Sequence, residues 1–115
     1  MKRLIPICFF LLLSIFIHSS LPGVADSDTF YHLKHAWIYK TQGLFNSNFP
    51  WVQYSVVNKY SSDIWYGFHL ILLPFTYLSS LVQGIQLAEV AITAVALILV
   101  FYAFQILQIR YPLFW

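Results

Sequence analysis

Two aspartates and two histidines lie close together after the first apolar run of the chain. Asp26 and Asp28 are separated by one residue, and His32 and His35 follow them. If a helix begins at Asp28, then Asp28, His32 and His35 fall at positions i, i+4 and i+7 and share one face. Such a face suits a divalent cation bound at Asp28, and a carboxylate alone can act as a general base. In the structural alternative, the aspartates cap the helix and the histidines are interfacial residues.

A third aspartate precedes the second apolar run. Asp63 comes just before Ile64, and His69 lies about one and a half helical turns further along. An ionisable residue inside a membrane segment is a functional candidate by default, although a satisfied hydrogen bond is common there. Asp63 is therefore a site residue or a helix cap, and His69 is a site residue or a structural hydrogen-bonding residue. Glu89 is expected at headgroup level on the opposite membrane face.

The composition places these residues in a membrane protein. Hydrophobic residues make up 60% of the chain and charged residues 9%, whereas a soluble domain carries roughly a quarter charged residues. These values exclude both a water-covered globular surface and intrinsic disorder. The net charge of +2 is too small for a nucleic-acid-binding protein. The single cysteine, Cys8, excludes an intramolecular disulfide.

Three apolar runs predict three membrane helices. They comprise residues 1–21, 64–83 and 85–109. The first run is short and has a basic start, so it also fits a cleaved signal peptide, but the two later runs favour an uncleaved helix. Pro74 predicts a kink in the second helix, and Gly84 predicts a tight turn with a positive φ before the third.

A long loop of residues 22–63 would position the two histidines that follow Asp28. Its aromatic density is typical of a segment at the membrane surface. Ser27 or Asp28 is a good N-cap and Gly43 suits the position after a helix, so an interfacial helix is predicted from about Asp28 to Gln42. The basic N-terminus predicts a cytoplasmic start for this multi-pass protein of the cell membrane. The predicted fold is an all-α membrane protein with about three transmembrane helices and an interfacial helix in a long first outer loop.

A series of motifs runs from the acidic segment into the second apolar run. In chain order they are Asp26-Ser27-Asp28-Thr29-Phe30-Tyr31-His32, Phe49-Pro50-Trp51, Ser62-Asp63, Tyr66-Gly67-Phe68-His69-Leu70 and Leu73-Pro74-Phe75. Together they resemble the N-terminal part of the GT-C superfamily of polytopic membrane glycosyltransferases. That superfamily includes protein mannosyltransferases and oligosaccharyltransferase catalytic subunits. The resemblance covers residues 4–78.

The resemblance implies a polyprenyl-phosphate-linked sugar donor at the outer membrane face, within membrane lipid. A first-loop aspartate then acts as base on the acceptor or, in the oligosaccharyltransferase branch, as a metal ligand. That role falls to Asp28, with Asp26 as the second candidate, and a divalent cation is the candidate cofactor. Lys34 and His35 are placed to steady the departing phosphate. The candidate substrate-binding residues are His32, His35, Lys34, Asp63 and His69.

The chain is much shorter than GT-C enzymes, and three helices cannot enclose a lipid-phosphate site. We therefore expect the N-terminal part of a longer enzyme, inactive alone, that joins the remaining helices. One alternative is a small non-enzymatic three-helix membrane protein or assembly subunit. Another is a secreted or lipid-associated protein with a cleaved N-terminus.

Overall fold

The computed structural model describes residues 4–20, 27–46, 54, 56–60 and 62–108. Their regular secondary structure is helical throughout, which confirms the all-α prediction for this part of the chain. The elements are α1 (Leu4–Ser19), α2 (Ser27–Gln42), α3 (Val56–Tyr60), α4 (Tyr66–Leu72), a 3-10 helix (Leu73–Tyr77) and α5 (Leu81–Ile106). The chain forms two compact units, residues 26–85 and residues 1–25 with 86–115.

Helix α2 begins at Ser27, one residue before the predicted start, and ends at the predicted Gln42. Gly43 follows with a φ of +103°. The Gly43 N–H donates to the Tyr39 carbonyl at 3.1 Å, which satisfies one of the last carbonyls of the helix. This conformation favours glycine because a side chain there would be strained.

Helix α2 packs against α4 and the 3-10 helix. Its side chains Leu33, Ala36 and Tyr39 are buried. At its C-terminal end, Lys40 Nζ donates to the Thr76 carbonyl at 3.1 Å and lies 4.0 Å from the centre of the Tyr77 ring. The burial of this face stabilises the unit through removal of apolar surface from water and holds α2 beside α4.

The second apolar run is broken into short pieces. Helix α4 has 7 residues and the 3-10 helix has 5, so end to end they reach roughly 20 Å, against a hydrocarbon core of about 30 Å. The α-helix ends at Leu72, two residues before Pro74, because proline has no N–H to continue the α-helical hydrogen bonds. The predicted kink at Pro74 is therefore a change from α to 3-10 geometry.

Gly84 lies inside α5, which begins at Leu81. It does not have the positive φ of a turn, so that prediction is wrong. Glycine is needed there for a different reason. A Cβ at position 84 would lie 2.6 Å from the Phe75 carbonyl oxygen and 3.0 Å from Leu33 Cδ2. The absence of a side chain lets the helix backbone approach the 3-10 helix closely.

Helix α5 is, within the described residues, the one helix long and apolar enough to cross a membrane. Its 26 residues extend about 39 Å. Helix α1 is apolar but has 16 residues and reaches about 24 Å. The count of three membrane-spanning helices stays a prediction.

Helices α1 and α5 run antiparallel within their unit. Phe10, in the first half of α1, packs against Phe101, near the end of α5, with ring centres 5.5 Å apart. At the other end of α1, His18 Nδ1 lies 3.6 Å from Glu89 Oε2, near the start of α5. Glu89 is therefore beside the C-terminal end of α1, whereas the sequence interpretation placed it on the opposite membrane face from that end.

Polar contacts also join these two apolar helices. Ser14, which is buried, donates its hydroxyl to the Val90 carbonyl at 2.8 Å. His18 Nε2 lies 3.1 Å from the Thr93 hydroxyl, within hydrogen-bond distance. Such side chains hydrogen-bond across helices because an unsatisfied polar group is costly in an apolar environment.

Candidate functional site

Helices α2 and α4 bring three histidines together around one buried aspartate. His32 and His35 share a face of α2, and His69 projects from α4, whose start is next to Asp63. We call His32, His35, His69 and Asp63 the histidine cluster. The imidazole of His69 and the carboxylate of Asp63 are 0% and 3% exposed, and His35 is 1% exposed. The α2–α4 packing thus assembles, away from solvent, groups that are far apart in the sequence.

Asp63 is the most heavily hydrogen-bonded member of the cluster. Its Oδ2 accepts from the Tyr39 hydroxyl at 2.6 Å and from His69 Nδ1 at 2.5 Å. Its Oδ1 accepts from the Trp65 N–H at 2.9 Å. This bond between a side chain and the backbone two residues later forms an Asx-turn just before α4. Burial by itself raises the pKa of Asp63, but the hydrogen bonds from Tyr39, His69 and Trp65 outweigh it, and the pKa is lowered. Asp63 is therefore an ionised carboxylate.

A hydrogen bond between the His32 and His69 imidazoles continues the series of contacts that begins at Asp63 towards the surface. An ionised carboxylate only accepts, so His69 carries a proton on the Nδ1 that faces Asp63. His69 Nε2 lies 2.8 Å from His32 Nδ1, with one proton between them. His32 Nε2 in turn lies 3.9 Å from Asp28 Oδ2. The series runs from buried Asp63 to Asp28, whose side chain is 73% exposed.

His35 stacks on the inner end of this series. Its ring lies 4.4 Å from that of His69 at an interplanar angle of 25°, and 5.5 Å from that of Tyr39 at 29°. Burial, with the neighbouring His69 as a further cause, lowers the pKa of His35 from 6.5 to about 4. His35 is therefore neutral at pH 7.

Tyr39 is a site residue that the sequence interpretation missed. Burial raises the pKa of its hydroxyl, and the hydrogen bond to Asp63 raises it further, so Tyr39 stays protonated and remains a donor. The sequence does carry a signal for it. Tyr39 is four residues after His35, so it continues the face of α2 already defined by Asp28, His32 and His35.

The structure brings some of the predicted site residues together and leaves others apart from them. His32, His35, Asp63 and His69 come together, and Asp28 lies beside His32. Lys34 instead lies over the Trp37 ring, 3.6 Å from its centre. Asp26, the second candidate base, lies outside the described residues. The substrate-binding roles stay predictions.

Among the described residues, ligand atoms converge at the inner part of the cluster. One atom from each of His35, Asp63 and His69 lies within 4.8 Å of the others. Asp28, the metal ligand suggested by its spacing, is not a member of this group. Its metal role stays a prediction.

Comparison with protein-family models, with curated proteins and with solved structures gives no match. Function is therefore inferred from the geometry of the histidine cluster and its neighbours.

Proposed function

We propose that this chain is the N-terminal part of an integral membrane glycosyltransferase that uses a polyprenyl-phosphate-linked sugar, with Asp28 as the general base. The observation that carries the proposal is the series Asp28–His32–His69–Asp63. Glycosyl transfer requires removal of a proton from the acceptor hydroxyl as the sugar–phosphate bond opens. The exposed carboxylate of Asp28 is accessible to an acceptor hydroxyl, and the His32 imidazole lies beside it.

Asp28 suits the role of base better than Asp63. Asp63 is buried and its oxygens already accept three hydrogen bonds, so an acceptor hydroxyl has no access to it. Those hydrogen bonds also lower the pKa of Asp63, which makes it a weaker base. Asp28 is open to solvent on the same face of α2 as His32. In this proposal His69 and Asp63 are positioning residues that fix the His32 ring.

The antiparallel pair of α1 and α5 supports a membrane arrangement with two crossing helices. In the arrangement with three spans, the first and third helices would run in the same direction. The contacts of Phe10 with Phe101 and of His18 with Glu89 favour opposite directions. With the N-terminus in the cytoplasm, the segment between α1 and α5 leaves and re-enters the membrane at the outer face. A lipid-linked donor would meet Asp28 at that face.

The test is donor turnover by the complete protein in membrane vesicles. Transfer to any acceptor releases polyprenyl phosphate, so its release from a radiolabelled polyprenyl-phosphate hexose is measured. Asp28→Asn should insert normally and lower the release by about 10²-fold or more, the scale of a positioned acid–base group. Asp26→Asn should have a smaller effect. Glu89→Gln, which changes a carboxylate outside the cluster, is the matched control and should stay near the wild-type rate.

Turnover at the wild-type rate in Asp28→Asn would overturn the assignment of the base. Absence of donor turnover in the wild-type protein would favour the second interpretation, a small non-enzymatic membrane protein or assembly subunit. In that case the histidine cluster would serve only to hold α2 against α4.

A further inference from the structure

We propose that His35, Asp63 and His69 form a binding site for a divalent transition metal of the zinc class. Imidazole nitrogens and a carboxylate oxygen are the ligands that zinc takes in many enzyme sites, where three protein ligands leave one position open. This site is distinct from the metal role considered for Asp28. It does not depend on the proposed glycosyltransferase activity.

The spacing of the three ligand atoms is close to that of a metal site. They lie within 4.8 Å of one another, whereas ligand atoms in a tetrahedral zinc site are separated by about 3.4 Å, given bond lengths near 2.1 Å. The hydrogen bond of 2.5 Å between Asp63 and His69 would have to widen by about 0.9 Å for the metal to enter. A rotation of the stacked His35 ring would complete the set.

The site is buried and carries a negative charge that a cation would neutralise. His35 and His69 are 1% and 0% exposed, and the Asp63 side chain is 3% exposed. Asp63 accepts three hydrogen bonds, as a carboxylate does, and the two imidazoles supply ring nitrogens, so the inner part of the cluster offers oxygen and nitrogen ligands to a cation. An isolated buried carboxylate is costly, and metal coordination is one way that proteins compensate for it.

The residues behind the ligands match the usual second layer of a zinc site. A histidine ligand normally donates its other ring N–H to an acceptor, and a carboxylate ligand is itself hydrogen-bonded. His69 Nε2 faces His32 Nδ1 at 2.8 Å, and Asp63 accepts from Tyr39 and from the Trp65 N–H. Each of these contacts can persist with a metal bound to His69 Nδ1.

Metal binding would move two protons without adding or removing any. Without metal, His69 carries its proton on Nδ1, and His32 donates from Nδ1 to His69 Nε2. With metal on His69 Nδ1, the His69 proton lies on Nε2 and is donated to His32 Nδ1. The proton of His32 then lies on Nε2, which faces Asp28. Occupancy of the inner site would thus orient an N–H towards the exposed carboxylate.

The experiment is a cobalt titration of the full chain in detergent micelles, purified through a tag without histidine and stripped by a chelator. We expect one Co²⁺ per chain, visible absorption bands of four- or five-coordinate geometry, and displacement by Zn²⁺. His35→Gln, Asp63→Asn and His69→Gln should each weaken binding by 100-fold or more. His32→Gln should weaken it by about 10- to 100-fold, the usual loss for a residue behind a ligand. His18→Gln, a histidine outside the cluster, should bind as the wild type.

A variant that unfolds would also lose the metal, so a second measurement separates the two causes. His35→Cys, made in a Cys8→Ser background, replaces one ligand with another that binds zinc and cobalt well. It should retain Co²⁺ and add a thiolate-to-cobalt charge-transfer band in the near ultraviolet. Absence of that band, absence of binding by the wild type, or equal affinity in wild type and His69→Gln would each overturn the site.

Discussion

A methyl group added at Gly84 should destabilise the unit formed by α2, α4 and the 3-10 helix. The new Cβ would lie 2.6 Å from the Phe75 carbonyl oxygen and 3.0 Å from Leu33 Cδ2. To reach even 3.0 Å, the α5 and Phe75 backbones must move apart by 0.4 Å, the difference between 3.0 Å and 2.6 Å. The nearest atom is backbone, so a simple change of side-chain rotamer cannot relieve the clash.

The magnitude follows from two opposing effects. Overpacking of a close contact costs about 1–3 kcal/mol. Replacement of glycine by alanine in a helix gains up to about 1 kcal/mol, and less near a helix end. For Gly84→Ala the net change should therefore be a loss of about 1–2 kcal/mol in the free energy of unfolding.

Gly67→Ala is the matched control for this measurement. Gly67 lies in the first turn of α4, as Gly84 lies in the first turn of α5, and a Cβ at position 67 meets no atom within 4 Å. Both variants carry a similar gain in helix propensity, so their difference isolates the packing cost. Gly67→Ala should be as stable as the wild type or more stable.

The assay is unfolding of the detergent-solubilised chain by sodium dodecyl sulfate, followed by tryptophan fluorescence. Trp37 and Trp65 both belong to the unit under test and report its unfolding. If Gly84→Ala proves as stable as Gly67→Ala, the close approach of α5 to the 3-10 helix does not exist in the protein and the reasoning is refuted.

Three further predictions concern the cluster and the membrane arrangement. The pKa of His35 is 6.5 when unfolded and about 4 in the fold, so the unfolded state binds more protons between these values. Stability should therefore fall by about 3 kcal/mol as the pH drops from 7 to 4, and His35→Gln should flatten this slope. Tyr39→Phe removes a hydrogen bond to the ionised Asp63 and should cost about 1.5–3 kcal/mol in the same unfolding assay; an unchanged stability would show that the bond contributes nothing. In the arrangement where only α1 and α5 cross the membrane, the segment between them stays outside. In a chain without its natural cysteine, Ser62→Cys and Ser79→Cys should therefore both react with a membrane-impermeant maleimide added outside. Protection of Ser79→Cys alone would indicate a membrane span between the two positions.

The histidine cluster also explains why so apolar a chain keeps these few polar residues together. A buried carboxylate without partners costs several kcal/mol, and removal of one partner from a buried pair is costly for the same reason. Asp63 meets this requirement with three donors, from Tyr39, His69 and Trp65. The donors come from α2, from α4 and from the residue before α4, so the polar contacts and the apolar packing fix the same arrangement of helices.

Signals within short stretches of the sequence determined helices α2 and α5. Helix α2 ends before Gly43 because the positive φ of glycine acts over a few residues. Helix α5 follows from a continuous apolar run, which is enough to specify a long helix. The shared face of Asp28, His32 and His35 also follows from the helical repeat alone.

Tertiary structure decided the partners of those residues. Asp63 accepts from Tyr39, which is 24 positions earlier in the chain, and His32 meets His69 across 37 positions. Pairing of this kind depends on how α2 packs against α4, and no periodicity in either segment encodes it. The role of Gly84 likewise changed from a turn residue to a point of close contact, because the need for a missing side chain arose from Phe75 in another element. Residues that are adjacent in the sequence set the backbone conformation. The histidine cluster, in contrast, is completed by residues that are distant in the sequence and close in space.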